Sequence, residues 1–298
     1  MRVAYSSFYN SLTDRFNNLN STQQKALTQM TTGQKLTVAS DDPAAMQRVL
    51  ENRTVKAQEN QFWKNAGDAA QTSMASSSSV TQLNNIFTRV GELTTRGSDE
   101  INDAQSFSAF ATETDQLLEE ALTVANSKVS GKYLHSGTAI ETAPFVATRD
   151  VAGKITSIAY AGNANEATVR ISESSAISAQ TSGTENLNIR DMLNNLVSVR
   201  TAMESKSGPA VAALRPAQEA IEDNLLSTIS RAGGIQYRLE VNQRQSSEHF
   251  QSVDKLISKD ADVDFAEASV RFSRAQTAYS AAIQSGAKVA QVSLLDYI

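Results

Sequence analysis

The chain has 298 residues, more than a single domain usually holds, so one large domain and a smaller one are expected, with ample length to bury a core. Apolar residues make up 40% but aromatics only 6%, and Ala, Ser, Thr, Gln and Asn fill much of the rest, a composition suited to long, narrow helices. With 27 basic against 32 acidic residues, a net charge of -5 and no cysteine, the sequence speaks against a phosphate-tracking surface. It excludes a disulfide scaffold, a thiolate metal site and a cysteine nucleophile.

Residues 1–10 lack the apolar core and small-residue cleavage site of a secretory signal, so any export is expected by another route. Tyr5, Tyr9, Leu12, Phe16, Leu19, Gln23, Ala26 and Met30 then step by four and three in strict alternation, as in one strand of a coiled coil. Ser40-Asp41-Asp42 ahead of Pro43 forms a capping group and a proline suited to a first turn, so a helix is predicted to begin there. Adjacent carboxylates could suggest a cation site, but capping and the helix dipole explain them better. Trp63, Ala66, Ala70, Met74, Ser77, Val80, Leu83, Phe87 and Val90 predict a packed stripe along that helix. On this reading Trp63 is a core residue and the Ser76 to Ser79 run allows close helix approach. Gly91 and Gly97 weaken the far end of the helix. Phe107, Phe110, Thr114, Leu117, Ala121 and Val124 predict a second helix folding back.

From about 131 to 187 the helical pattern is lost. Residues 145–148, 155–160 and 167–171 are strand candidates, with turns at 150–153 and 162–163, and the whole reads as a β-rich insert whose removal over about 139–182 should leave the helical body folded. Helical spacing returns at Ile189. After Gly208-Pro209 a long stripe runs from Leu214 through Leu225, Ile235 and Leu239 to Ile257, with Gly233-Gly234 as a soft point. Phe265, Ala268, Phe272, Ala275, Tyr279, Ala282, Gly286 and Val289 repeat the alternation of the first segment. At 1.5 Å per residue each end would extend roughly 40 Å, with an apolar seam that either finds a partner or packs on its own domain.

The fold class is therefore mainly α: an elongated antiparallel helical bundle with coiled-coil-like terminal helices and a small β-rich inserted domain. The segments are an assembly helix at 1–40, a helical body at 41–130 and 188–262, the insert at 131–187 and a second assembly helix at 263–298. No apolar run is long enough for a membrane span. His135 and His249 are the only histidines, neither near a second candidate ligand, and no phosphate loop, zincin helix or nucleophile elbow occurs. His135 beside Tyr133 and Leu134 is expected to be packed or at the surface. No catalytic residue, cofactor or metal is expected, and the chain is not expected to be an enzyme.

Thr31-Thr32-Gly33-Gln34-Lys35-Leu36 followed by Ser40-Asp41-Asp42-Pro43-Ala44-Ala45 resembles the segment joining the first two helices of the flagellin family. Gly131-Lys132-Tyr133-Leu134-His135-Ser136-Gly137-Thr138, Ala143-Pro144-Phe145, Tyr160-Ala161-Gly162 and Ser293-Leu294-Leu295-Asp296-Tyr297-Ile298 are similar to its hook-associated members. His135 stands where those members often carry an aromatic, a departure that bears on packing there. The resemblance implies a structural subunit of the bacterial flagellum, extracellular, exported unfolded through the flagellar type III channel without a cleaved signal peptide, with an export chaperone. Its partners would be copies of itself, hook-associated proteins and flagellin. The terminal helices would order against neighbours through Tyr5, Tyr9, Leu12, Phe16, Leu19, Phe265, Phe272, Tyr279, Val289, Leu294, Leu295 and Tyr297. A filament flagellin is the nearest alternative. A chemoreceptor-like signalling coiled coil is the alternative of another class, and would need a membrane span or sensor attachment.

Overall fold

The computed structural model describes the backbone of residues 2–99 and 102–295, and the side chains of 10–99 and 102–288. In chain order the elements are α1 (Arg2–Thr32), α2 (Pro43–Gly97), α3 (Ala104–Ala125), the short strands β1 (Lys128–Val129) and β2 (Lys132–Tyr133), β3 (Phe145–Arg149), β4 (Ile155–Tyr160), β5 (Thr168–Arg170), β6 (Ala176–Ser178), α4 (Gly183–Glu204), α5 (Gly208–Ala212), α6 (Arg215–Ala261) and α7 (Phe265–Leu295). The chain forms two compact units, one of residues 1–58 with 248–298 and the other of 59–247.

In the unit of residues 59–247, α2 and α6 run antiparallel, with Gln218 Nε2 donating to Thr94 Oγ1 at 3.0 Å. Leu83, Val90, Leu118, Leu193 and Met203 are fully buried in one core with Phe145, Ile155 and Ile158 of the β3–β4 hairpin. Burying each such side chain contributes about 1.5–3 kcal/mol. The inner face of the hairpin is thus part of the core of α3 and α4, so removing residues 139–182 would uncover apolar side chains of the helical body. The strand candidates at 145–148 and 155–160 match β3 and β4, which pair antiparallel from Phe145 opposite Tyr160. Asp150 Oδ1 closes their turn by accepting from the Ala152 and Lys154 N–H groups, each at 2.9 Å, and Gly153 adopts φ +85.

Two asparagines close the outer edges of that hairpin. Asn126, at the end of α3, accepts from Phe145 N–H at 3.0 Å and donates to Phe145 C=O at 2.9 Å. Asn194 of α4 does the same for Ile158, both at 2.9 Å. Each primary amide reproduces the donor and acceptor of a peptide, so it stands in for a missing neighbouring strand. Arg200, 4% exposed, ties the layers together by pairing with Asp115 of α3 at 2.7 Å and donating to Ile155 C=O of β4 at 2.6 Å.

Several local expectations change. Trp63 is 46% exposed and Met74 55%, while Phe62, Ala66, Ala69, Ser73 and Ser76 face inward; the inward track meets the expected one at Ala66 and again from Val80 onward. The sequence carries two adjacent stripes on this helix, and periodicity does not say which one the chain covers. Helix α6 passes unbroken through Gly233-Gly234, so these glycines lower helix propensity without ending the helix. Helix α4 begins at Gly183, ahead of Ile189, because Ser182 and Glu185 form a capping box.

In the unit of residues 1–58 and 248–298, α1 and α7 pack along each other, and Leu36, Ala45, Val49 and Ala261 form a small core. Asp42 caps α2 by accepting from Ala45 N–H at 2.9 Å.

Candidate assembly interface

The terminal seams meet within the chain. On α1, Leu12, Phe16, Leu19 and Gln23 are half-buried and Ala26 is buried; on α7, Ala268 and Ala275 are buried and Phe272, Tyr279 and Ala282 half-buried. Gly286 is also buried, and a Cβ placed on it would lie 3.1 Å from Phe16 Cζ and 3.6 Å from Leu12 Cδ2. Glycine is therefore the seat on which Phe16 rests, a role its place in the alternation hinted at and its lack of a side chain concealed. Phe265 departs from the expected seam: it is 62% exposed, at the first residue of α7. Val270 and Ile283 of α7 and Leu27 of α1 also remain exposed, Leu27 and Ile283 directly after Ala26 and Ala282 of the seam, so apolar surface is left uncovered beside it. The side chains of Tyr5, Tyr9, Val289, Leu294, Leu295 and Tyr297 lie outside the described residues.

The segment between α1 and α2 is fixed by charge and backbone pairing. Asp41 accepts from Lys25 Nζ at 2.6 Å, Thr37 N–H at 3.0 Å and Val38 N–H at 3.2 Å. The lysine, then the backbone donors, hold its carboxyl far below the usual carboxylate range. Asp42 is thus the helix cap expected of the pair, whereas Asp41 departs from that expectation and anchors the loop. Val263 N–H donates to Gly33 C=O at 2.9 Å and Lys35 N–H to Ala261 C=O at 2.6 Å, joining this segment to the α6–α7 turn. Arg48 forks onto Asp260 with two bonds of 2.9 Å, which raises the arginine and lowers the aspartate. Beside the seam an open groove of about 580 Å³ includes Ala26, Leu36, Ala275, Lys25, Lys35 and Arg274 in its lining.

In the other unit, His135 is fully buried. Its Nδ1 lies 2.9 Å from Thr181 Oγ1 and its Nε2 3.0 Å from Ser79 Oγ. The Thr181 hydroxyl donates to Asn186 Oδ1 at 2.5 Å, so its oxygen accepts from His135 Nδ1–H. Ser79 Oγ has one proton and two acceptors within reach, Nε2 of the neutral ring at 3.0 Å and Val124 C=O at 3.1 Å. Asn186 Nδ2 continues the chain to Tyr160 OH at 3.0 Å, which donates to Asn163 C=O at 3.1 Å. Burial pushes the imidazole down to about 4. His135 is packed and not at the surface, and its partners come from distant segments that leave no local signal.

Among the described residues no three His, Asp or Glu side chains come together to hold a metal ion. No described helix is long and apolar enough to cross a membrane. What remains is a helical protein whose chain ends pair through an alternating apolar seam, with a β region carried on the helical body. Residues 3–139 match the bacterial flagellin N-terminal helical region and residues 215–298 the bacterial flagellin C-terminal helical region, together about three quarters of the chain. The chain belongs to the flagellin family, a family of structural components of the bacterial flagellum. Among solved structures it is similar to a protein of Vibrio parahaemolyticus described as a flagellar hook-associated protein, at 20% identity and a TM-score of 0.66 over 74% of this chain and 100% of that one. It is also similar to FlgL of Bacillus cereus, at 20% identity and 0.59 over 68% and 97%. Flagellar hook-associated protein 3 of Legionella pneumophila is a third, at 12% identity and 0.59 over 71% and 98%. None of the curated proteins matches the sequence.

Proposed function

We propose that this chain is the subunit joining the flagellar hook to the filament, and that it assembles through its terminal helices. The observation carrying this reading is the α1–α7 seam: two helices at the chain ends, packed around Phe16, Tyr279 and Gly286, with the apolar side chains of Leu27, Val270 and Ile283 left exposed. A pair that covers its own seam and keeps a second apolar surface is suited to add to copies of itself. The likeness in fold to hook-associated proteins of three bacteria supports a junction subunit over a filament flagellin.

On this reading Leu12, Phe16, Leu19, Phe272 and Tyr279 build the paired helices, Phe265 is an outward contact, and Tyr5, Tyr9, Val289, Leu294, Leu295 and Tyr297 extend the interface at the chain ends. The partners are copies of the chain, other hook-associated proteins, flagellin and an export chaperone. The protein lies outside the cell after export without a cleaved signal peptide, and has a structural rather than a catalytic role. The segment 131–187 faces outward from the helical body. Immunogold labelling of intact flagella tests the assignment: label is expected in a short zone between hook and filament, and label along the full filament would make the chain a filament flagellin.

A further inference from the structure

The single buried histidine has no place in assembly through the chain ends, yet it sits where the β region meets three helices. Ser79 comes from α2, Thr181 and Asn186 from the start of α4, and the residues just after β2 carry His135 itself. Ser127, following α3, donates to Ser79 Oγ at 3.4 Å. We propose that His135 is an acid-released latch, holding the β region on α2 and α4 while the ring is neutral and letting it open when the ring gains a proton.

The geometry sets the direction of the effect. Both hydrogen-bond partners of the ring are neutral hydroxyls, and the residue is wholly out of solvent. A proton arriving from solvent on Nε2 turns that nitrogen into a donor. The Ser79 hydroxyl already has Val124 C=O as an acceptor at 3.1 Å, so its proton stays there and its oxygen accepts from Nε2–H. Hydrogen bonding thus survives protonation, and the penalty is the charge itself, buried with no anion against it. The ionisable groups on the surrounding elements do not supply one. On α4, Glu185 is turned to Ser182 N–H and to Arg231 of α6. On β4, the Tyr160 phenol is one asparagine removed, with its pKa raised by burial. Ser79 on α2 and Ser127 after α3 are neutral at every pH of interest. The cheapest response to protonation is for the 134–137 segment to leave its site and hydrate the imidazolium.

An imidazole at its ordinary value when released and at about 4 when buried should favour the open form about 50-fold more at pH 4.5 than at pH 7. Hydrogen exchange of the full chain, corrected for intrinsic rates, is expected to show that loss of protection over residues 127–137 and 178–186, with α4 residues 189–203 still protected. In His135→Gln, which cannot take the proton, the acid-dependent loss should disappear; an unchanged loss overturns the proposal. If that variant does not fold, ring titration by NMR in the unaltered chain decides, with a short unstructured histidine peptide as reference. A His135 ring still neutral at pH 5 while protection falls supports the latch, and a ring that titrates together with the peptide overturns it.

Discussion

Phe16 and Tyr279 meet edge to face, ring centroids 6.4 Å apart and planes 78° from each other, joining one end of the chain to the other. Such a pair contributes about 0.5–1.5 kcal/mol beyond its buried area, and here it sets the level at which α1 lies on α7. Gly286 is one heptad beyond Tyr279 on the same track.

The first prediction concerns that glycine. In an unconstrained helix, Gly→Ala stabilises by about 0.8–1 kcal/mol. At Gly286 the new methyl would stand 3.1 Å from Phe16 Cζ, so Gly286→Ala is expected to give none of that gain and Gly286→Val to separate the helix ends. Thermal unfolding and protection of residues 10–30 would show it; an Ala variant stabilised by the full propensity difference would mean Phe16 does not rest there.

Polar substitution of the seam is expected to abolish assembly while sparing the rest. Phe16→Ser or Tyr279→Ser removes about 1.5 kcal/mol of half-buried apolar contact, repeated in every subunit. The unit of residues 59–247, which shares none of these side chains, should keep its circular dichroism and protection. Incorporation into flagella at the unaltered level would argue that the contacts between subunits lie elsewhere.

How much of this could be read in the sequence depends on whether a feature is periodic or relational. The alternation in α1 and α7 named Leu12, Phe16, Tyr279 and Gly286, because a helix with one covered face writes that face as a spacing. β3 and β4 were visible because β-branched residues flank the Asp150 to Gly153 turn. The capping box at Ser182 and Glu185 is a local signal too, set ahead of the apolar spacing that resumes only at Ile189. Trp63 was misplaced for a different reason: its stripe is real, but whether a stripe meets the chain itself is a fact about the rest of the fold. Asn126, Asn194 and His135 act through partners 19 to 56 residues away, and no local pattern records that.

Asn126→Leu should destabilise the unit of residues 59–247 by about 1–3 kcal/mol, because it strips Phe145 N–H and C=O of their partners. Asn126→Asp keeps the acceptor for Phe145 N–H and loses the donor, so it should fall between Leu and the unaltered chain in urea unfolding. Equal stability of all three would show that water replaces the amide.

Asp115→Asn leaves the buried Arg200 guanidinium with Ile155 C=O but without its anion. A loss of about 2–3 kcal/mol is expected, short of the fully buried limit because the Asp115 side chain is 33% exposed. Arg200→Met with Asp115→Leu should recover most of it; a double variant as unstable as the single one would show that the charge was not the source.

Asp41 predicts a local acid response. Its carboxyl is lowered in the folded chain, first by Lys25, so the anchoring of residues 33–42 is fully present above the ordinary carboxylate value near 4 and fades as pH falls below it. Exchange at Thr37 and Val38 should rise there, and Asp41→Asn should show that looseness already at neutral pH. A variant that keeps full protection at both amides would shift the anchoring to the Gly33 to Val263 backbone bond.

The asparagine clamps on the hairpin bear on how the chain behaves when concentrated. A two-stranded ribbon has two raw borders, and a protein stored or transported in crowded company risks gluing itself to its neighbours along them. Here the peptides of Phe145 and Ile158, one on each border, already hold a side-chain amide of the same molecule. Recruitment of a foreign strand at either position would first have to evict that amide, which leaves helix against helix as the less obstructed way for copies to meet.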